Sequence, residues 1–128
     1  MSWEIRLDPA DQAFSKWIRL RDMECKRCHS PVKLNTKGLP VSHQASHFQG
    51  RRKEASRFNP FNVDTLCAGC HSYLGSNPAE HMAWQIEQKG KDRVEAIVLS
   101  SNMYQKKDRK SELLYWKLKL KEDFGIFL

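Results

Sequence analysis

The chain has four cysteines, all of them in two runs of one design, Cys25-Lys26-Arg27-Cys28-His29 and Cys67-Ala68-Gly69-Cys70-His71. Thiolates separated by two residues on a tight turn can both reach one metal at about 2.3 Å. Two such pairs converging on one tetrahedral ion make a Cys₄ zinc site, so Cys25, Cys28, Cys67 and Cys70 are the expected ligands of one structural Zn²⁺. His47 and Asn62 lie between the pairs, and His71 directly follows the last cysteine. An imidazole that titrates near 6.5 can take a proton from water at neutral pH or ligate a divalent ion. The order histidine, asparagine, histidine, pinned by a metal clip, is therefore where a reaction could be housed. C-x-x-C-H is also the attachment signature of c-type haem. Covalent haem attachment needs export, and neither an export segment nor a methionine-bearing pocket between the motifs is apparent; a Soret band in the purified protein would reveal haem.

The elements that must position these residues can be read from punctuation and period. Asp8-Pro9-Ala10-Asp11 is a helix beginning, with Asp8 as cap and Pro9 in the first turn. Ala10, Phe14, Trp17 and Ile18 then recur at helical spacing, which predicts an amphipathic helix over residues 9–22 with Lys16, Arg19 and Arg21 pointing elsewhere. After the first cysteine pair, residues 31–35 and 39–48 read as two strands of a hairpin turning at Thr36-Lys37-Gly38, the second strand placing His43, Ala45 and His47 on one face. Residues 50–59 carry Arg51, Arg52, Lys53 and Arg57 against the single acid Glu54 and no apolar period, which predicts an exposed, phosphate-attracting loop. A short helix should start within or just after the second cysteine pair and end at Gly75. Asn77 and Pro78 open the next, with Ala79, Met82, Ala83 and Ile86 inward and Gly90 as its stop. Residues 92–100 form another helix with Val94, Ile97 and Val98 inward. A last one over residues 111–122 contains Leu113, Leu114, Trp116 and Leu118.

With 128 residues the chain is read as a single domain over 1–128, small enough for a metal to matter to its stability. Its formal charge of +7 favours a polyanionic partner, and nucleic acid is the first candidate. Residues 1–6 contain no apolar leader core, and no stretch approaches the roughly 18 apolar residues of a membrane span. No membrane association and a cytoplasmic location are therefore expected. In a reducing cytosol paired C-x-x-C runs favour metal over disulfides.

A histidine-bearing hairpin, a loop, an asparagine and a helix with a histidine near its start resemble the ββα-metal layout of HNH endonucleases. The residues that carry this are His47 in Ala45-Ser46-His47-Phe48, Asn62 four residues before Leu66-Cys67, and His71 in Cys67-x-x-Cys70-His71. The spacing is similar to the zinc-stapled branch. Phe14-Ser15-Lys16-Trp17-Ile18-Arg19-Leu20-Arg21-Asp22, Arg57-Phe58-Asn59 and Gly75-Ser76-Asn77 further resemble the NinG (Rap) recombination nucleases of lambdoid phages, over roughly residues 11–99. The resemblance implies an α+β fold: a small ββα-metal core stapled by the Cys₄ zinc over residues 25–75, helix 9–22 before it and a helical part over 77–124 wrapping it. It implies a metal-dependent DNA endonuclease acting in a bacterial host, close to the nucleoid, on double-stranded or branched recombination intermediates.

Phosphodiester hydrolysis needs a base for the attacking water, charge stabilisation on the non-bridging oxygens and help for the departing oxygen. The resemblance gives His47 the role of base, Asn62 that of holding the His47 ring or the loop, and His71 that of ligand to a catalytic Mg²⁺ or Mn²⁺. The common pattern has aspartate before the base histidine as a second ligand; here it is Ser46, which leaves His43, Asp64, or phosphate and water as alternatives. Resolving a junction would favour a homodimer, with the Leu113, Leu114, Trp116 and Leu118 stripe as a contact. The rival reading is a non-catalytic zinc-stabilised nucleic-acid-binding module, which would keep the cysteines and cations without needing His47, Asn62 and His71 together.

Overall fold

The computed structural model describes residues 8–128, so the reading of residues 1–6 falls outside it. Helix α1 spans Pro9–Asp22, and Asp8 caps it by accepting from the Ala10 amide at 2.9 Å. Ala10, Phe14 and Ile18 are fully buried, as their spacing predicts. They meet Phe58, Val63, Trp116 and Leu120 in the larger of two apolar cores. Each of the valine, isoleucine, leucine and phenylalanine side chains among them contributes about 1.5–3 kcal/mol on full burial.

The strand pairing differs from the expected hairpin. Strand β1 is only Gln44–His47, and its partner is β2, Val63–Leu66, in antiparallel register with Ala45 opposite Thr65 and Ser46 opposite Asp64. The turn at 36–38 does form, with Gly38 at φ +80° and the Asn35 side chain accepting from the Lys37 and Leu39 amides. Its arms make one isolated bridge, Leu34 to Pro40. Pro40 has no N–H to give a ladder, and His43 takes a left-handed φ of 66°, which breaks the extended run before β1. His43 therefore does not share a strand face with Ala45 and His47.

Between the strands lie α2, Glu54–Arg57, within the 50–59 stretch expected as an exposed loop, and a 3₁₀ turn, Pro60–Asn62. Helix α3, Ala68–Ser76, starts on Cys67 as its cap and runs one residue past Gly75. Helices α4, Pro78–Lys89, and α5, Lys91–Ser101, follow, separated by Gly90 at φ +87°. Val94 and Ile97 of α5 point inward as predicted. On α4 the predicted stripe is wrong: Met82 and Ile86 are exposed, and the buried position is Gln85, flanked by the half-buried His81, Trp84 and Lys89. The reason is the buried Asp64 carboxylate of β2, which demands polar partners rather than methyl groups. Helix α6, Arg109–Phe124, packs on α1. Trp116 and Leu120 are buried there and Leu113 lies against them, whereas Leu114 and Leu118 stay 71% and 50% exposed.

Both edges of β2 are used. One pairs with β1; on the other, the Thr65 amide donates to Asp22 at 3.0 Å and its carbonyl accepts from the Lys26 amide at 2.8 Å. Arg21 forks onto Asp22 and onto the Pro60 and Val63 carbonyls. The end of α1 is thereby tied to the sheet. Among the described residues no helix is long and apolar enough to cross a membrane.

Candidate active site and metal centre

The Sγ atoms of Cys25, Cys28, Cys67 and Cys70 all lie within 4.8 Å of one another. Cys28 and Cys67 are 3.7 Å apart, close to the edge of about 3.8 Å that a tetrahedron with 2.3 Å metal–sulfur bonds requires. The Cys28 amide donates to Cys25 Sγ and the Cys70 amide to Cys67 Sγ, each at 3.4 Å, so each turn offers its first sulfur an N–H. Hydrogen bonding to Ser30 lowers the Cys28 thiol to about 6, whereas burial pushes Cys70 up to about 12. A cation among the four would favour the thiolate at every position. The donor set fits a closed structural metal such as zinc, and all four sulfurs meet at one point rather than at two separated haem attachments. His29 lies outside this cluster, exposed and paired with Glu24.

The cysteine cluster lies at the start of α3, which packs beside β1. His71, in the first turn of α3, donates from Nδ1 to the Gln44 side-chain oxygen, which leaves Nε2 as its free nitrogen. His47, at the end of β1, donates from Nε2 to the Arg57 carbonyl at 2.9 Å. A carbonyl can only accept, so His47 carries its proton on Nε2 and keeps the Nδ1 lone pair. Burial lowers the pKa of both imidazoles, and for His47 the nearby Arg51 and Arg57 lower it further. Both rings line a single cleft of about 600 Å³, with Arg19 and Arg51 as its cations.

Asn62 is fully buried, and its side-chain hydrogen bonds go to the loop rather than to the His47 ring. Its Oδ1 accepts from the Gln49 amide at 2.8 Å, and its Nδ2 donates to the Gln49 and Ser56 carbonyls at 2.9 and 3.1 Å. With its amide fully paired, Asn62 closes the segment from 49 to 56, and the Arg57 carbonyl at the end of that segment orients His47. The asparagine therefore acts on the loop, one of the two expected alternatives.

Over this whole geometry, from α1 through α6, the sequence model of a family described as Bacteriophage Lambda NinG protein matches residues 3–124. The chain belongs to the NinG family. The match takes in α6, which the resemblance read over residues 11–99 had left outside. No curated protein and no solved structure matches the chain.

The remaining expected residues of this NinG-family chain separate into cleft and scaffold. His43 lines the cleft, but Ser42 Oγ lies 2.8 Å from its Nδ1 and Ser30 Oγ 3.0 Å from its Nε2. Asp64 accepts from Gln85 Nε2 and Lys89 Nζ, each at 2.9 Å, on the α4 side of the sheet. Among the described residues no group of three His, Cys, Asp or Glu side chains other than the cysteines converges on one point. Arg57 is scaffold, since it pairs bidentately with the buried Asp11 and also meets Glu54. Arg52 and Lys53 are exposed on the far side of the turn from Arg51.

Arg19 was missed. It donates to the Pro40 and Ser42 carbonyls at 3.5 and 3.3 Å, spanning α1 to the segment before β1, and burial lowers its pKa. The signal was present in the sequence. Asp11, Ser15 and Arg19 recur every four residues beside the apolar stripe, and all three line the cleft.

Proposed function

We propose that this protein is a metal-dependent DNA endonuclease with a phage recombination-related role. The observation that carries this reading is the shared cleft: a neutral imidazole with a free Nδ1 and a second imidazole with a free Nε2, flanked by two guanidinium groups. His47 Nδ1 takes the proton of the attacking water, and the Arg57 carbonyl, by holding Nε2–H, both aims the ring and stabilises the imidazolium that results. Arg19 and Arg51 hold the phosphodiester through its non-bridging oxygens. Ser15 and Gln44 line the same wall, and Gln44 fixes the ring of His71. A divalent ion at His71, Mg²⁺ or Mn²⁺, would stabilise charge on the phosphate and on the departing 3′ oxygen. With Ser46 where an aspartate is usual and Asp64 held by Lys89, His71 would be its single side-chain ligand, the rest being phosphate and water, as suits an ion that retains several waters.

The NinG family membership supports DNA of a recombination intermediate as the substrate. A homodimer, if formed on α6, would use Leu114 and Leu118, the part of the stripe left exposed. One observation favours the rival, a zinc-stabilised nucleic-acid-binding module: Asp64 and His43 are both committed to hydrogen bonds and neither offers the second ligand. Incubating the zinc-loaded protein with supercoiled, single-stranded and branched DNA in Mg²⁺ or Mn²⁺ separates the two. Cleavage that falls about 10²–10⁴-fold in His47→Ala, with unchanged circular dichroism, supports the base assignment. DNA left intact by the wild type under all conditions, yet retarded in a gel, leaves the binding module.

A further inference from the structure

On the other side of the turn that carries Arg51 into the cleft lies a second groove, of about 710 Å³, between residues 52–54 and the connection from α5 to α6. Its cations are Arg52, Lys53, Lys106 and Arg109, against one acid, Glu54. Glu54 is committed to Arg109 at 2.7 Å and Arg57 at 3.3 Å, and the Arg109 hydrogen bond holds its carboxyl below the usual range. Lys53 is positioned by two neutral acceptors, Asn102 Oδ1 at 2.8 Å and Gln49 Oε1 at 3.1 Å, which aim the ammonium without cancelling its charge. Arg52 and Lys106 make no ion pair among the described residues and stand exposed.

The same groove carries an aromatic ring the fold does not use. Tyr104 is 97% exposed, and among the described residues no ring contact or cation–π contact engages it. A lone exposed tyrosine is ordinary; one set between unneutralised cations has the composition of a platform for a single strand. There the cations follow the backbone and the ring stacks on a base, a contact open to any base because every base has a π-face. A duplex offers no such partner, since its bases are already stacked on each other.

We propose that this groove binds single-stranded DNA, with Tyr104 stacking on an unpaired base and Arg52, Lys53 and Lys106 holding the backbone. Arg51 and Arg52 are consecutive, so a strand lying in the groove leads over one turn into the cleft. The groove thus deepens the nuclease reading by favouring DNA with an unpaired segment next to the cut. Its binding does not depend on hydrolysis.

The test is fluorescence anisotropy of labelled oligothymidylate, about 12 nucleotides long to span one site, against the full zinc-loaded chain without Mg²⁺, with a blunt duplex of equal length as control. Tyr104→Ala should weaken oligothymidylate about five- to tenfold, the low end of a lost stacking contact, and leave the duplex unchanged. Tyr104→Phe, which keeps the ring, should bind like the wild type. Lys106→Glu should weaken binding and flatten its dependence on salt. Tyr104→Ala binding as tightly as the wild type would falsify the proposal, as would equal losses on both probes or a wild type that ignores the single strand. His47→Ala should still bind oligothymidylate, so a failure of cleavage and a failure of the groove are separate results.

Discussion

The two sides of strand β2 are held by different physics. Val63 faces α1, in a core with Phe14, Ile18 and Trp116, and Thr65 on the same side donates its hydroxyl to the Ile18 carbonyl. Asp64 and Leu66 face the opposite way, toward α3 and α4. There, among the described residues, the buried apolar cluster is Cys25, Leu66, Cys70 and Leu74, with Cys67 and Trp84 packed against it, and the neighbouring contact is a buried carboxylate with Lys89 and Gln85. The first side is stabilised by area removed from water, and the second has a charge pair and four cysteines that could hold a metal. The side with the weaker apolar core is the one that carries His71.

Chelation should expose this difference most strongly. Structural zinc in small domains contributes on the order of 10 kcal/mol of apparent binding free energy near neutral pH. Removing the metal, or replacing Cys70 with serine, is therefore expected to unfold α3 and its approach while α1 and α6 stay docked. Hydrogen exchange should show lost protection in residues 67–76 and retained protection in residues 9–22. A uniform loss along the chain would mean that the two sides form one cooperative unit.

Single replacements sharpen the contrast. Phe14→Ala should cost about 3–5 kcal/mol through lost burial and a cavity. Lys89→Met should cost a similar amount for another reason, because it leaves the Asp64 carboxylate buried without its cation. Adding Asp64→Leu to Lys89→Met should return most of that loss in urea denaturation, whereas no second substitution of that kind repairs Phe14→Ala. A double variant no more stable than Lys89→Met would show that the pair is needed for more than charge balance.

The smallest effect is in pH. His47, His71 and His81 are all lowered by burial from the ordinary 6.5. The unfolded chain then binds protons near 6.5 that the folded chain refuses, so stability is undiminished above that value and declines as pH falls below it. His47→Gln should flatten part of the decline in thermal melts between about pH 5 and 7. On the proposed nuclease function, the same lowering keeps the His47 lone pair available at neutral pH, so cleavage should hold its rate down to below 6.5.

Much of this is legible in the sequence. Asp8-Pro9 and the Ala10, Phe14, Ile18 period gave α1, because caps and amphipathic period are local properties. The expected hairpin fails partly for a local reason, the missing N–H of Pro40 and the left-handed φ of His43, and partly for a non-local one, since the partner that β1 takes is Val63–Leu66. The inner face of α4 was misread for a non-local one. Nothing within residues 78–89 announces that Asp64 is buried opposite them. Arg57 likewise reads as a phosphate-seeking cation until Asp11, 46 residues earlier, is found against it.

By itself the sequence determined the cysteine cluster and the longer helices, since ligand spacing and helical period are written within a few residues. Only the tertiary structure decided which nitrogen each imidazole leaves free, which cations face the cleft and which are consumed inside the fold. Those outcomes depend on pairings between residues far apart in the chain. A buried charge takes whichever partner the packing brings within reach.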